Sequence, residues 1–276
     1  MAKRSISNNL ADSPPPTQKR CGLLISVRCS EEARLSLQYA IDVLDLKEPL
    51  NGALGAVSQA VVEKVVQLVI QVNLEQPPKL SLAMGELADW DFDRWPSLLD
   101  RYPLDQIRRF RFVKIGLAGA QQLTDWQGAW SKLFAELPES TRPVVVGYLD
   151  RLPEVLANAG SVKDVGDRCP SIKQLIEFAQ SQSQVSTILL DTWCKQEDLF
   201  AKISDRRLQE IISVANRAGL AVVVAGSVKI DSLERVIQAG ASLVGVRGAV
   251  CAGDRSGQLC EQKLREFCQR LMEVNP

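Results

Sequence analysis

The stretch "LAVVVAGSVKIDSLERVIQAGASLVGVRGAVC" (220–251) decides the fold. It opens on an almost unbroken apolar run, "LAVVVAG" (220–226), which reads as a strand covered on both faces. A glycine turn follows, then "DSLERVIQAG" (231–240), with apolar residues at helical spacing and a terminal glycine that stops a helix. A second strand, "SLVGVRG" (242–248), comes next. Strand, turn, helix and strand in this order form a βαβ unit, which requires a parallel sheet.

The same unit recurs outward along the chain. Strands are expected at 22–27, 42–47, 80–87, 111–117, 143–149 and 186–192, beside the two already quoted. Helical patterns lie between several of them, in "SEEARLSLQYA", "AVSQAVVEKVVQLVIQV", "SIKQLIEFAQSQ" and "DRRLQEIISVANRAG". Eight strand–helix units in about 250 residues are the measure of a single (β/α)8 TIM barrel. A doubly wound sheet would want G-x-G-x-x-G after the first strand, and "SVRCSEEA" has none. The expected organisation is a disordered tail over 1–20, polar and proline-rich, followed by one catalytic barrel domain over 21–276.

Composition removes several classes of function. Lys plus Arg and Asp plus Glu are 33 each, so no basic excess points to nucleic acid and no basic face to a membrane surface. The apolar runs are too short to span a bilayer, and the first residues lack the apolar core of a secretory signal. Seven cysteines, widely spaced and without C-x-x-C, suit reduced thiols and a cytoplasmic setting rather than disulfides or zinc. Cys194 and Cys251 lie near the chemistry considered below, and structural thiols are the simpler reading for both. The chain has no histidine, so acid–base work falls to Asp, Glu, Lys, Tyr or Cys.

In this architecture chemistry sits at the C-terminal ends of the strands. Those ends are charged. Asp45 and Lys47 close strand 2, where a spacing of two puts them on one face. Glu86 ends strand 3, Lys114 interrupts strand 4, Asp191 ends strand 6, and Lys195 follows four residues on. A single such charge is most simply a structural ion pair. The set is harder to explain so, because buried charge is costly unless paired or used. A buried lysine near another ammonium has a lowered pKa and becomes a nucleophile for carbonyls.

The turns "AGSVK" (225–229) and "GVRGAV" (245–250) place Gly226, Ser227, Gly248 and Ala249 where backbone N–H groups can meet a substrate phosphate. Tight turns are the plain alternative. The loop "EPLNGALGA" (48–56) either breaks strand 2, covers substrate or holds a second phosphate. These residues suggest a Schiff-base lysine enzyme acting on a phosphorylated carbonyl compound, with no metal and no organic cofactor expected.

Taken together, "DLKEPLNGALGA", "FVKIGLAG", "LLDTWCK" and "AGSVK…GVRGAVC…DR" resemble the (5-formylfuran-3-yl)methyl phosphate synthase family. It is also called 4-(hydroxymethyl)-2-furancarboxaldehyde-phosphate synthase, of methanofuran biosynthesis. The resemblance covers nearly all of 22–270. It implies a TIM barrel that joins two glyceraldehyde 3-phosphate molecules, with loss of one phosphate and water. It further implies Lys47 as the imine-forming lysine, Asp45 as its acidic partner, and Lys114, Asp191 and Lys195 as the other charged active-site positions. The chain departs from the family in "ISVRCS", where archaeal members are expected to carry a proline after the serine, and in "QED" (196–198). Neither departure removes a candidate residue. A class I aldolase acting on a sugar phosphate and a non-catalytic phosphometabolite-binding barrel are the alternatives. A small-molecule triose phosphate is the expected partner, and homo-oligomerisation is left open.

Overall fold

A computed structural model describes residues 20–156 and 168–275, so the expected tail lies outside the described residues except for Arg20. The strands are β1 (Gly22–Val27), β2 (Val43–Leu46), β3 (Lys79–Glu86), β4 (Phe110–Gly116), β5 (Arg142–Tyr148), β6 (Thr187–Asp191), β7 (Ala221–Val224) and β8 (Leu243–Val246). Each pairs in parallel with the next, and β8 pairs with β1 to close the barrel. The expected (β/α)8 TIM barrel is therefore the observed fold.

Side-chain alternation divides each strand. Leu44 and Leu46 are fully buried on the face away from Asp45. The inward residues form layers, as barrel interiors of this size do. Leu24, Val43, Phe112, Val144, Leu189 and Val223 surround a narrow apolar space low in the barrel. One level higher, Asp45 stands in register between Ser26 and Ser81. The interior thus turns from apolar to charged toward the C-terminal strand ends.

The last two strands are shorter than their apolar runs. Gly226 and Ser227 turn to φ of +93° and +55°, outside the β region, so the ladder ends at Val224. The strand-8 run ends in a 3-10 turn, Gly248–Val250. The helix after β2 begins at Gln59 rather than 56, because the Ser58 hydroxyl accepts from the Val61 N–H and caps it there.

Further helices stand outside the patterns quoted above. The β3–β4 connection carries Leu98–Arg101 and Leu104–Ile107, separated by Pro103. The β4–β5 connection carries Trp126–Leu133, and Glu261–Val274 closes the barrel after β8. At the N-terminal end of the barrel, the Asn275 side chain accepts from the Cys21 N–H at 2.9 Å and donates to its carbonyl at 2.7 Å.

Candidate active site

The C-terminal strand ends surround a cavity of about 560 Å³, lined by Lys47, Lys114, Asp191 and Lys195 and by the turns after β7 and β8. Of the charged candidates, only Asp45 and Glu86 stay outside its lining.

Asp45 is fully buried below the cavity floor. Its Oδ1 lies 2.7 Å from Lys114 Nζ, and its Oδ2 accepts from the Ser26 hydroxyl at 2.8 Å. The direct ionic partner of Asp45 is thus Lys114, from the middle of β4, and not its own neighbour Lys47. Across the cavity Asp191 pairs with Lys195 and also accepts from the Thr192 N–H at 2.7 Å. Asp191 is held below the ordinary carboxylate range: burial acts to raise its pKa, and the Lys195 and Lys47 ammonium groups outweigh it. Its other oxygen, Oδ2, is buried with no hydrogen-bond partner among the described residues.

Two lysines are therefore matched to acids and one is left over. Lys47 is buried and makes no ion pair among the described residues. Its backbone still follows the sheet, donating to the Val27 carbonyl at 2.9 Å. Burial is the main influence that lowers its pKa from 10.5 to about 7; Lys195 and Lys114 push the same way, against Asp191 and Asp45. Near neutral pH a substantial share of such an amine, about half, is uncharged and can attack a carbonyl.

Glu86 lies beside the cavity. Tyr148 donates its hydroxyl to Oε1, and the Ala118 N–H donates to Oε2 at 3.1 Å. Burial pushes the Glu86 carboxyl up to about 8, although both hydrogen bonds act to lower it. Gly116 lets the carboxylate approach, since a Cβ there would stand 1.9 Å from Oε2. Tyr148, in register with Asp191 and packed edge-on against Trp193, was not among the sequence candidates. Its one signal is a phenol at the end of an otherwise apolar strand.

A carboxyl whose folded pKa exceeds its unfolded value stabilises the fold below about 4.5, and that contribution is lost as pH rises toward about 8. Glu86→Gln should flatten this dependence. Urea unfolding at pH 5 and pH 8.5 should show the native chain losing on the order of a few kcal/mol more than the variant. Equal losses would remove Glu86 as the source.

The expected phosphate turns both line the cavity. Gly226 is required by shape as well as by φ, because a Cβ would stand 2.4 Å from the Thr192 backbone nitrogen. Ser227 adopts the left-handed region without being glycine, and its hydroxyl donates to the Lys195 carbonyl at 3.0 Å. The turns after β6 and β7 are thereby joined. The Asp150 carboxylate steadies the first of them, accepting from the N–H groups of Trp193 at 2.6 Å and Cys194 at 2.9 Å.

Two arginines inside the quoted motifs, Arg247 and Arg255, are given no role by the sequence alone. Arg247 forms a buried fork with Glu32, at 2.7 and 3.1 Å, and donates to the carbonyls of Ser26, Arg255 and Gly257. Arg255 borders the cavity. Among the described residues no group of three or more acids or thiols gathers to hold a metal ion.

Comparison with known proteins accords with this arrangement. The (5-formylfuran-3-yl)methyl phosphate synthase of Methanosarcina mazei is 28% identical over 253 residues, covering 90% of this chain and 99% of the relative. The protein of the same name from Methanosarcina acetivorans is 27% identical over 255 residues, covering 90% and 99%. Among solved structures, 3-hexulose-6-phosphate synthase from Salmonella typhimurium superposes with a TM-score of 0.54, covering 92% of this chain and 99% of that one. At 14% identity it shares the barrel alone. The sequence pattern of 4-HFC-P synthases matches residues 23–268, which takes in every strand but the first residue of β1 and every charged residue around the cavity, and the chain belongs to the 4-HFC-P synthase family.

Proposed function

We propose that the protein condenses two glyceraldehyde 3-phosphate molecules into (5-formylfuran-3-yl)methyl phosphate, through an imine on Lys47, in the biosynthesis of a methanofuran-type one-carbon carrier. Membership of the family supports the reaction. The observation that carries the chemistry is the one buried lysine on the cavity wall that has no ion pair among the described residues, with its pKa lowered to about 7.

The Lys47 amine attacks the carbonyl of the first triose, and loss of water gives the imine. Asp191, whose Oδ2 has no other partner, takes a proton from the neighbouring carbon to form the enamine, and Lys195 holds that carboxylate in place. The enamine expels its phosphate, and the carbon so freed bonds to the carbonyl carbon of the second triose in its ketone, dihydroxyacetone-phosphate-like form. The free hydroxyl of that second triose then adds to the carbonyl beside the imine to close the ring, two waters are lost to make it aromatic, and hydrolysis of the imine gives the formyl group and releases Lys47. The overall balance is two trioses in, and one furan phosphate, one phosphate and two waters out.

Lys114, held by Asp45, keeps positive charge near Lys47 and helps to keep its amine free. The backbone N–H groups of Gly226, Ser227, Gly248 and Ala249 hold one substrate phosphate, as glycine-bearing turns in this fold do. The test is to incubate the protein with glyceraldehyde 3-phosphate and borohydride, map the adduct, and follow the furan aldehyde by its absorbance. A reduced adduct on Lys47 together with the chromophore is the expected result. An adduct without furan would make the protein an aldolase, and no adduct at all would end imine catalysis here.

A further inference from the structure

The reaction proposed above brings two phosphoryl groups into one cavity, and the turns after β7 and β8 provide amide donors for one. Most of the cations around the cavity are already engaged. Lys114 is held by Asp45, Lys195 by Asp191 and Arg247 by Glu32, while Lys229 is exposed at the rim. Arg255 differs from all of these. Among the described residues no carboxylate lies within ion-pairing distance of it, and its one hydrogen bond runs from Nη2 to the Gly52 carbonyl at 2.9 Å.

The backbone that carries Arg255 is fixed on several sides. Arg247 donates to the Arg255 carbonyl at 2.7 Å and to the Gly257 carbonyl at 3.0 Å. Arg28 donates to the Ser256 carbonyl at 3.0 Å. The Arg255 backbone also packs close to Gly248, whose hypothetical Cβ would stand 3.6 Å from the Arg255 Cβ. From there the side chain passes over the end of β1 to the loop after Lys47. The guanidinium therefore lies between the β8 turn and the β2 loop, at the mouth of the cavity. A guanidinium has five N–H donors in a planar fork, and one of them is spent on Gly52. The remainder suit a phosphate, which accepts such a fork in bidentate fashion. Burial lowers the Arg255 pKa, and Asp191 acts against it more strongly than Arg247 acts with it.

We propose that Arg255, steadied by the Gly52 carbonyl, binds the phosphoryl group of the second triose phosphate, the one that accepts the Lys47-bound carbon and keeps its phosphate. This inference rests on the function proposed above. The loop 48–56 acts in it by aiming the arginine, with no phosphate contact of its own required.

The test compares the native chain with Arg255→Met and Arg255→Lys, on glyceraldehyde 3-phosphate and on unphosphorylated glyceraldehyde. Arg255→Met should keep the borohydride adduct on Lys47 within about 2-fold, since the first triose does not need the arginine. Its kcat/KM for furan formation should fall on the order of 10- to 100-fold, the range for a lost charged hydrogen bond. Arg255→Met should also lose the native preference for a phosphorylated over an unphosphorylated acceptor in carbon–carbon bond formation, and Arg255→Lys should recover part of both. Unchanged furan formation in Arg255→Met would overturn the assignment. So would a parallel loss of adduct and product, which would place the arginine at the first triose. Should Arg255→Met not fold, an Arg255→Lys variant with native kcat/KM and native acceptor preference would count against the fork, and reduced values would support it. If the native chain makes neither adduct nor furan, the underlying function has failed and this assignment falls with it, a result seen before any variant is made.

Discussion

Lys47→Met is expected to lower furan formation by at least ~10⁴-fold, because removal of a covalent nucleophile eliminates the pathway rather than slowing one step of it. Methionine is close in length and apolar, so it fills the space left in a buried site without leaving an unpaired charge. The folded state should persist, and thermal melts of the two proteins should agree within a few degrees. The borohydride adduct should vanish in the same variant. In the native chain the rate of adduct formation should rise with pH through about 7 and level off well below the 10.5 of an ordinary lysine. Lys114→Met should weaken the reaction and shift that pH profile upward, since one neighbouring ammonium has been removed. An adduct that survives in Lys47→Met and disappears in Lys114→Met would exchange the two roles.

Glu32→Ala should cause the largest loss of stability. Its carboxylate is 4% exposed and holds both terminal nitrogens of an arginine that is itself 3% exposed. Taking away one member of such a pair leaves a buried charge uncompensated and costs about 3–5 kcal/mol. In a chain of this size that should lower the melting temperature by roughly 10 °C, given about 2–4 °C per kcal/mol for domains somewhat smaller. The loss reaches the site as well. Arg247 ties the Arg255 and Gly257 carbonyls to the end of β1, so the β8 loop should loosen, and hydrogen exchange over 252–258 should quicken before the rest of the barrel unfolds. A melting temperature within 2 °C of native would show that the pair is replaceable by solvent.

The sequence made the barrel readable because its strands are covered on both faces and so appear as runs of Val, Ile and Leu. Ladder termination was less visible. It depends on backbone angles at Gly226 and Ser227, and a serine in the left-handed region leaves no compositional trace. The short helices between β3 and β4 span about one turn each, too few residues for apolar periodicity to emerge. At the site, charges breaking apolar strands marked Asp45, Lys47, Lys114 and Asp191, all of which stand in or next to the cavity wall. Pairing was not readable. Asp45 and Lys47 share a face of one strand, yet Lys114 meets Asp45 from β4, two strands along the barrel wall, and that contact is set by the barrel's curvature rather than by spacing. Arg255 lies in an irregular loop, where no period exists to distinguish it from its neighbours.

The clasp between Asn275 and Cys21 has a practical meaning for anyone handling this protein. It brings the last described helix back beside the start of the first strand, at the pole opposite the cavity. With residues 1–20 left out, a short peptide joining Asn275 to Cys21 and new ends cut in an outer loop should give a circular permutant with the same reaction chamber. By the same geometry, a surface that captured the molecule at Cys21 or Asn275 would hold it with the chamber facing the liquid.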